Sequence, residues 1–164
     1  SRMNENELAA FRQEHIGFVF QSYNLLKELT AVENVAMPLM FRGIPKETRE
    51  LEAKKMLHRV GLLNRMNHFP GQMSGGQQQR AGIARAFISR PEIVFADEPT
   101  GNLDTKTTKE VMQMIRKFAR TFHQTIVLVS HDPEMTTYAD RIVTLIDGQI
   151  VSDVRTNQQE ENIV

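Results

Sequence analysis

The 164-residue sequence contains no cysteine, no net charge and no long hydrophobic run. Without cysteine there can be no disulfide, no thiolate zinc site and no thiol nucleophile. Basic and acidic residues number 20 each, so the overall excess of positive charge that attracts a nucleic-acid backbone is missing. No apolar run approaches the roughly 18 residues of a membrane-spanning helix, and no signal-peptide hydrophobic region is present. These absences predict a soluble globular domain with no nucleic-acid partner.

Three short apolar segments predict the strands of a parallel sheet. They are Ile16–Phe20, Ile93–Ala96 and Thr125–Val129, and their continuous apolar character predicts burial on both faces. A predicted helix from about Thr105 to Thr121 joins the second and third strands, which makes a βαβ unit. The predicted fold class is therefore α/β.

The remaining segments suggest how the domain is organised. Residues 22–90 contain only helical patterns, one of them interrupted by Pro38 and another opened by Pro45, so we expect an α-helical subdomain beside the sheet. Residues 14–21 and 91–154 form the predicted core, which includes a hairpin turning at Asp147-Gly148. Residues 155–164 form a predicted polar tail.

Polar side chains follow each predicted strand, at the edge where open α/β sheets bind ligands. Gln21 follows the first strand, Asp97-Glu98 the second and His131 the third. Two consecutive carboxylates can divide the work, one holding Mg²⁺ and the other orienting an attacking water. The alternative is that both acids simply cap the next helix. Because Asp97 follows four apolar residues, we expect its charge to be costly there without a ligand.

The segment Ser74-Gly75-Gly76-Gln77 opens a predicted helix. Two glycines allow backbone N–H groups to approach an anion closely, and the helix N-terminus adds a favourable dipole. The segment therefore predicts a phosphate-binding element, and the alternative is an ordinary N-cap provided by the serine.

Taken together, these motifs resemble the ATPase subunit of ATP-binding cassette (ABC) transporters. The resemblance extends from about Glu14 to Val154, and a finer one points to the macrolide-exporter and lipoprotein-releasing branch. The matching elements, in the family's order, are the Q-loop strand Gly17–Gln21, the signature Met73–Arg80 with methionine for the usual leucine, the Walker B strand Ile93–Thr100, the D-loop Gly101–Asp104 and the switch-histidine region Val129–Asp132.

The resemblance implies a P-loop NTPase-like ABC ATPase core, with ATP and Mg²⁺ as cofactors and ATP hydrolysis as the activity. Gln21 would contact Mg²⁺ and the attacking water, and Asp97 would hold Mg²⁺ through water. Glu98 would act as general base, and His131 would contact the γ-phosphate.

The resemblance also implies two partners. Ser74, Gly75, Gly76 and Gln77 would clamp the nucleotide of a second copy in a head-to-tail dimer, and Asp104 would communicate across it. The helical subdomain would dock against a membrane permease subunit, on the cytoplasmic face of the cell membrane.

One family element is missing from these 164 residues. No glycine is followed at P-loop spacing by Gly-Lys, because the nearest pair, Gly71 and Gly76, precedes Gln77. In the family the P-loop and the adenine-stacking aromatic residue lie upstream of the Q-loop, so Ser1 is expected to be a cut end. The isolated chain is then expected to bind ATP weakly, to lack turnover and to associate through an uncovered part of its core.

Two alternatives to a transporter ATPase remain. One is a soluble ABC-superfamily ATPase of DNA repair or translation, and the other is a non-catalytic fragment that only binds a partner. The compact interval between Gln21 and Ser74 has no room for a long coiled coil and no cysteine for a zinc module, which favours transport over the first alternative.

Overall fold

The computed structural model describes residues 3–156 of the chain. It divides into two compact units, Ser1–Val129 and Ser130–Val164. Residues 1 and 2, and residues 157–164 of the predicted polar tail, lie outside the described residues. Among residues 3–156, no helix combines the length and apolar character needed to cross a bilayer.

The first unit is an α/β structure with a three-stranded parallel sheet in the order β1-β2-β3. The α/β fold class and all three strands are confirmed. Its elements are α1 (Glu5–His15), β1 (Ile16–Phe20), α2 (Ala31–Phe41), α3 (Lys46–Arg59), α4 (Gly75–Ile88), β2 (Ile93–Asp97), α5 (Thr105–Phe122) and β3 (Thr125–Val129), with 3₁₀ turns at Leu63–Arg65 and Pro70–Gln72.

Within residues 3–156, the helices of the first unit cover only one face of this sheet. Val19 and Val94 are buried on the covered face, where Phe87 of α4 meets Phe118 of α5 with ring centroids 5.3 Å apart. On the opposite face Phe18 stacks on Phe95 yet remains 44% exposed. Burial on both faces is therefore a wrong prediction. A run of apolar residues indicates a hydrophobic strand, but it does not indicate whether helices pack on one face of the sheet or on both.

Two helices differ from the sequence pattern. α1 is missing from the predicted elements because it buries no residue, so it leaves no apolar periodicity to detect. Its one sequence signal is the capping box between Asn4 and Glu7. α2 continues through Pro38, since a proline near the end of a helix removes only one backbone hydrogen bond and the buried face of α2 compensates.

The second unit contains an antiparallel hairpin, β4 (Arg141–Ile146) and β5 (Gln149–Arg155), after a 3₁₀ helix at Pro133–Tyr138. Asp147 and Gly148 both have positive φ, 50° and 77°, as a type I′ turn requires. The predicted hairpin is confirmed. β5 extends through Arg155, one residue into the segment predicted as tail.

Candidate functional site

The three parallel strands end at the same level. Phe20 is in register with Asp97, and Asp97 with Val129, so the residues after β1 and β2 emerge at one edge of the sheet. The Glu98 amide donates to the Val129 carbonyl at 2.9 Å. Glu98 has φ +42°, a conformation that is unfavourable for a non-glycine residue and that concentrates at functional sites.

Asp97 is exposed, which contradicts the expected desolvation of its charge. The reason is its position in the strand. Asp97 alternates with the buried Ala96 and therefore points, like Phe95, to the face that the helices leave uncovered. Because the carboxylate is exposed, it needs no ligand to offset a desolvation cost. The helices of the first unit do not pack over it.

Gln21 is held against the loop that follows Glu98. The Asn102 side-chain amide donates to the Gln21 carbonyl at 3.1 Å. A Cβ on Gly101 would lie 2.7 Å from Gln21 Nε2, so only glycine at 101 lets the Gln21 side chain lie this close. The structure thus brings Gln21 together with the loop after the two carboxylates, as the strand order predicts.

Ser74 and Gln77 cap the N-terminus of α4. Ser74 Oγ accepts from the Gln77 amide at 3.3 Å, and Gln77 Oε1 accepts from the Ser74 amide at 3.0 Å, which is a complete capping box. The predicted N-cap is therefore present, and phosphate binding by Ser74 and Gln77 stays a prediction. Gly75 and Gly76 follow in the first turn, where helical N–H groups have no intrahelical acceptor.

The same N-terminus opens onto a cleft of about 450 Å³. Asp104 faces it from the start of α5, so two helix N-termini border one space, an arrangement that favours an anion. The lining residues are Ser74, Gly75, Gly76, Arg80, Asn102, Leu103, Asp104, Lys106, Thr107 and Glu110.

Asp104 is committed to capping α5. Its carboxylate accepts from the Thr107 hydroxyl at 2.6 Å and from the amides of Lys106 and Thr107 at 3.1 and 3.0 Å. The hydrogen bonds from Thr107, side chain first, lower the pKa of Asp104. The carboxylate therefore stays ionised at neutral pH.

Sequence reasoning missed the cations of the cleft. Arg80 lies one turn after Gly76 on the same helix face, and its Nη1 is 3.5 Å from Glu110 Oε2. Lys106 comes from the first turn of α5. The four-residue spacing from Gly76 could have indicated Arg80 in the sequence. Lys106 lines the cleft because α4 and α5 meet there, which the sequence does not show.

His131 belongs to the second unit, where it is exposed. Its neighbour Asp132 caps the 3₁₀ helix by accepting from the Glu134 amide at 2.9 Å. The Ser130 hydroxyl accepts from the Asp132 amide at 3.2 Å. These contacts fix the local turn that carries the histidine.

The side chains at the sheet edge fit Mg²⁺ only if phosphate oxygens and water complete the coordination shell. Within residues 3–156, no three His, Cys, Asp or Glu side chains group as metal ligands. Mg²⁺ is often bound by one or two carboxylates while substrate phosphates and water complete its shell. Asp97 at the end of β2, with Gln21 after the neighbouring strand, provides that kind of partial site.

The sequence is similar to ATP-binding proteins of one family. The family model described as ABC transporter matches residues 2–101. The macrolide export ATP-binding/permease protein MacB of Neisseria meningitidis is 46% identical over 159 residues, 97% of this chain and 24% of that protein. An ABC transporter ATP-binding protein of Methanocaldococcus jannaschii is 50% identical over 151 residues, 92% of this chain and 67% of that protein.

The fold is similar to solved ATP-binding cassettes. The dimeric post-hydrolysis structure of the cassette MJ0796, bound to ADP and Pi, superposes with a TM-score of 0.83 at 40% identity and covers 94% of this chain and 68% of that chain. The chain spans about a quarter of the length of the MacB relatives that it matches.

Proposed function

The chain belongs to the ABC transporter ATPase family, and from this premise we propose that its protein binds and hydrolyses ATP to power transport through a membrane permease. The observation that carries the proposal is the cleft where the glycines at the start of α4 face Asp104 at the start of α5. The first-turn N–H groups and dipole of α4 and the cations Arg80 and Lys106 suit the phosphates of a nucleotide, although the carboxylates of Asp104 and Glu110 line the same cleft.

The roles of the site residues follow the family pattern. Asp97 holds Mg²⁺ through water, and Gln21 contacts the ion and the attacking water. Glu98 acts as general base on that water, and His131 contacts the γ-phosphate. ATP and Mg²⁺ supply the phosphoryl chemistry, whereas the chain orients the water and accepts its proton.

Two partners complete the function. Gly75 and Gly76 bind the nucleotide held by a second ATPase subunit, in a head-to-tail dimer whose interface includes Asp104. The helical subdomain, residues 22–90, docks on the permease at the cytoplasmic face of the membrane. A dimeric cassette with ADP and Pi among similar structures and the combined ATP-binding/permease relatives support these partners.

These 164 residues contain no P-loop, so we propose that this polypeptide alone provides the signature half of a composite site and binds ATP weakly. A second reading, a module that only binds a partner protein, is favoured by the same missing motif. The two readings differ in whether association depends on nucleotide.

The test mixes the chain with an ABC cassette that contains a P-loop and follows association by sedimentation, with and without Mg-ATP. We expect a heterodimer only with Mg-ATP. Ser74→Asp and Ser74→Asn both preserve an N-cap, but only Asp adds a negative charge beside the phosphates. The Asp variant should associate at least about tenfold more weakly than the Asn variant. Formation of the heterodimer without ATP, or equal heterodimer formation by the two variants, contradicts the proposal.

A further inference from the structure

The loop after Gln21 adopts a conformation that its own residues disfavour. Tyr23 and Asn24 are consecutive and both left-handed, with φ of 63° and 46°. A bulky residue such as tyrosine rarely adopts this conformation, and it persists only where surrounding contacts enforce it. Local hydrogen bonds close the turn, such as the one from the Asn24 amide to the Ser22 carbonyl at 2.7 Å. They do not explain the position of the turn against α4.

Arg85 of α4 provides the enforcing contacts. Its Nη1 donates to the Asn24 carbonyl at 2.5 Å and its Nη2 to the Tyr23 carbonyl at 3.1 Å. The planar guanidinium thus binds two consecutive carbonyls with two parallel donors, which a lysine cannot reproduce. Arg85 is half-buried, and this burial lowers its pKa.

Tyr23 extends the contact to the other end of α4. A Cβ on Gly75 would lie 2.7 Å from the Tyr23 hydroxyl oxygen, and one on Gly82 would lie 3.4 Å from the Tyr23 carbonyl oxygen. Gly75 and Gly82 are seven residues apart and share one face of the helix, and Arg85 follows one turn later. One loop residue therefore contacts the helix at its amino end, beside Gly75, and near its carboxyl end, at Arg85.

We propose that Arg85 is a positioning residue that fixes the Gln21 loop (residues 21–25) to α4, so that this loop and Gly75 move as one body. The purpose of this link rests on the proposed function, because it would tie the residue that contacts Mg²⁺ and water to the glycines that bind the second subunit's nucleotide. The link itself rests only on the contacts of Arg85 and Tyr23.

The first measurement is hydrogen exchange of the Gln21-loop amides in the full chain without nucleotide. Arg85→Met removes both donors, and we expect the Tyr23 and Asn24 amides to exchange about tenfold faster or more, since hydrogen bonds to charged donors are among the strongest. Arg85→Lys restores the charge with a single donor group and should recover part of the protection. Arg120→Met, the same change at an exposed arginine of α5, should leave the loop unchanged.

The second measurement is the amide resonance of Gly75. Gly75 and Arg85 are ten residues apart on one helix, about 15 Å, and Tyr23 lies against both of them. We expect the Gly75 resonance to shift in Arg85→Met and in Tyr23→Phe, and to stay in place in Arg120→Met. A merely structural arginine would instead raise exchange in β2 and α5 as well.

Unchanged loop exchange in Arg85→Met, an unmoved Gly75 resonance, or equal loss of protection throughout the first unit would overturn the proposal. Arg85→Lys keeps the test decisive if Arg85→Met does not fold, because a fully protected loop in the lysine variant also contradicts the two-carbonyl contact. No nucleotide is present in either measurement. Failure of ATP-dependent association therefore counts against the proposed function alone.

Discussion

Asn34 shows how one buried polar residue orders the segment that follows the Gln21 loop. It is fully buried, and its side chain makes four hydrogen bonds to the backbone of the segment before α2. The amide oxygen accepts from the Leu26 amide at 2.8 Å, and the two hydrogens of the nitrogen are shared among the carbonyls of Leu26, Leu29 and Thr30. Residues 26–30 thus have a fixed path after the Gln21 loop.

Replacing Asn34 by Ala should lower the free energy of unfolding by about 3 kcal/mol, because buried backbone groups lose their partners and a cavity remains. Urea denaturation followed by circular dichroism measures this loss. Asn67→Ala, at an exposed turn position, is the matched control and should change stability by less than about 0.5 kcal/mol. Equal stability of the two variants would show that solvent replaces the Asn34 contacts without cost.

Thr107 controls the charge of Asp104. Its hydroxyl is the first cause of the lowered pKa of that carboxyl, so Thr107→Val should raise the pKa of Asp104 toward the ordinary aspartate value. Because the folded-state pKa is lowered, the stabilisation by Asp104 is present above the unfolded pKa and is lost as pH falls through the folded one. The variant should therefore lose this stabilisation at a higher pH.

Carboxyl carbon NMR titration of Asp104 tests this shift directly. Thr105→Val, at an exposed threonine one residue after the cap, changes the same chemical group without touching the carboxylate and should leave the titration unchanged. If Thr107→Val titrates like the original chain, the amides of Lys106 and Thr107 suffice to hold the charge.

At the scale of elements, α4 connects the parts of the candidate site. Its N-terminus borders the cleft, Gln79 Nε2 donates to the Pro99 carbonyl at 2.5 Å, and Arg85 binds the Gln21 loop. The helix can do this because it lies very close to β1. A Cβ on Gly17 would be 2.5 Å from the Ala86 carbonyl oxygen and 3.0 Å from Pro91 Cγ.

Gly17→Ala should therefore push α4 away from β1 and lower the free energy of unfolding by about 2 kcal/mol, the usual cost of overpacking. The hydrogen exchange of the Gln21 loop should rise with it, since Arg85 moves with the helix. Gly71→Ala is the control, because nothing lies within 4 Å of a Cβ there, and its stability should be nearly unchanged. An equally stable Gly17→Ala variant would mean that α4 can shift without cost.

At the scale of the whole molecule, the sequence pattern predicts where strands and helices lie better than it predicts which of their faces pack together. The strands Ile16–Phe20 and Thr125–Val129 are predicted to the residue because short apolar runs with β-branched or aromatic residues are a local property. The exposure of Asp97 is not predictable in this way, because it depends on which face α4 and α5 cover. Arg80 and Lys106 share the cleft only after two helices distant in sequence pack together.

Measurement of mass in solution can test the exposure of the sheet face that the helices of the first unit leave uncovered. Val129, 55% exposed, lies with Phe18 and Phe95 on that face, and contiguous exposed apolar surface favours association. We expect concentration-dependent self-association of the 164-residue polypeptide in sedimentation velocity, reduced by Val129→Lys. Phe41→Lys provides the comparison, because Phe41 is 63% exposed but belongs to helix α2 and not to the sheet. If association takes place through the sheet face, Val129→Lys should reduce it more than Phe41→Lys does. A larger effect of Phe41→Lys would contradict this prediction.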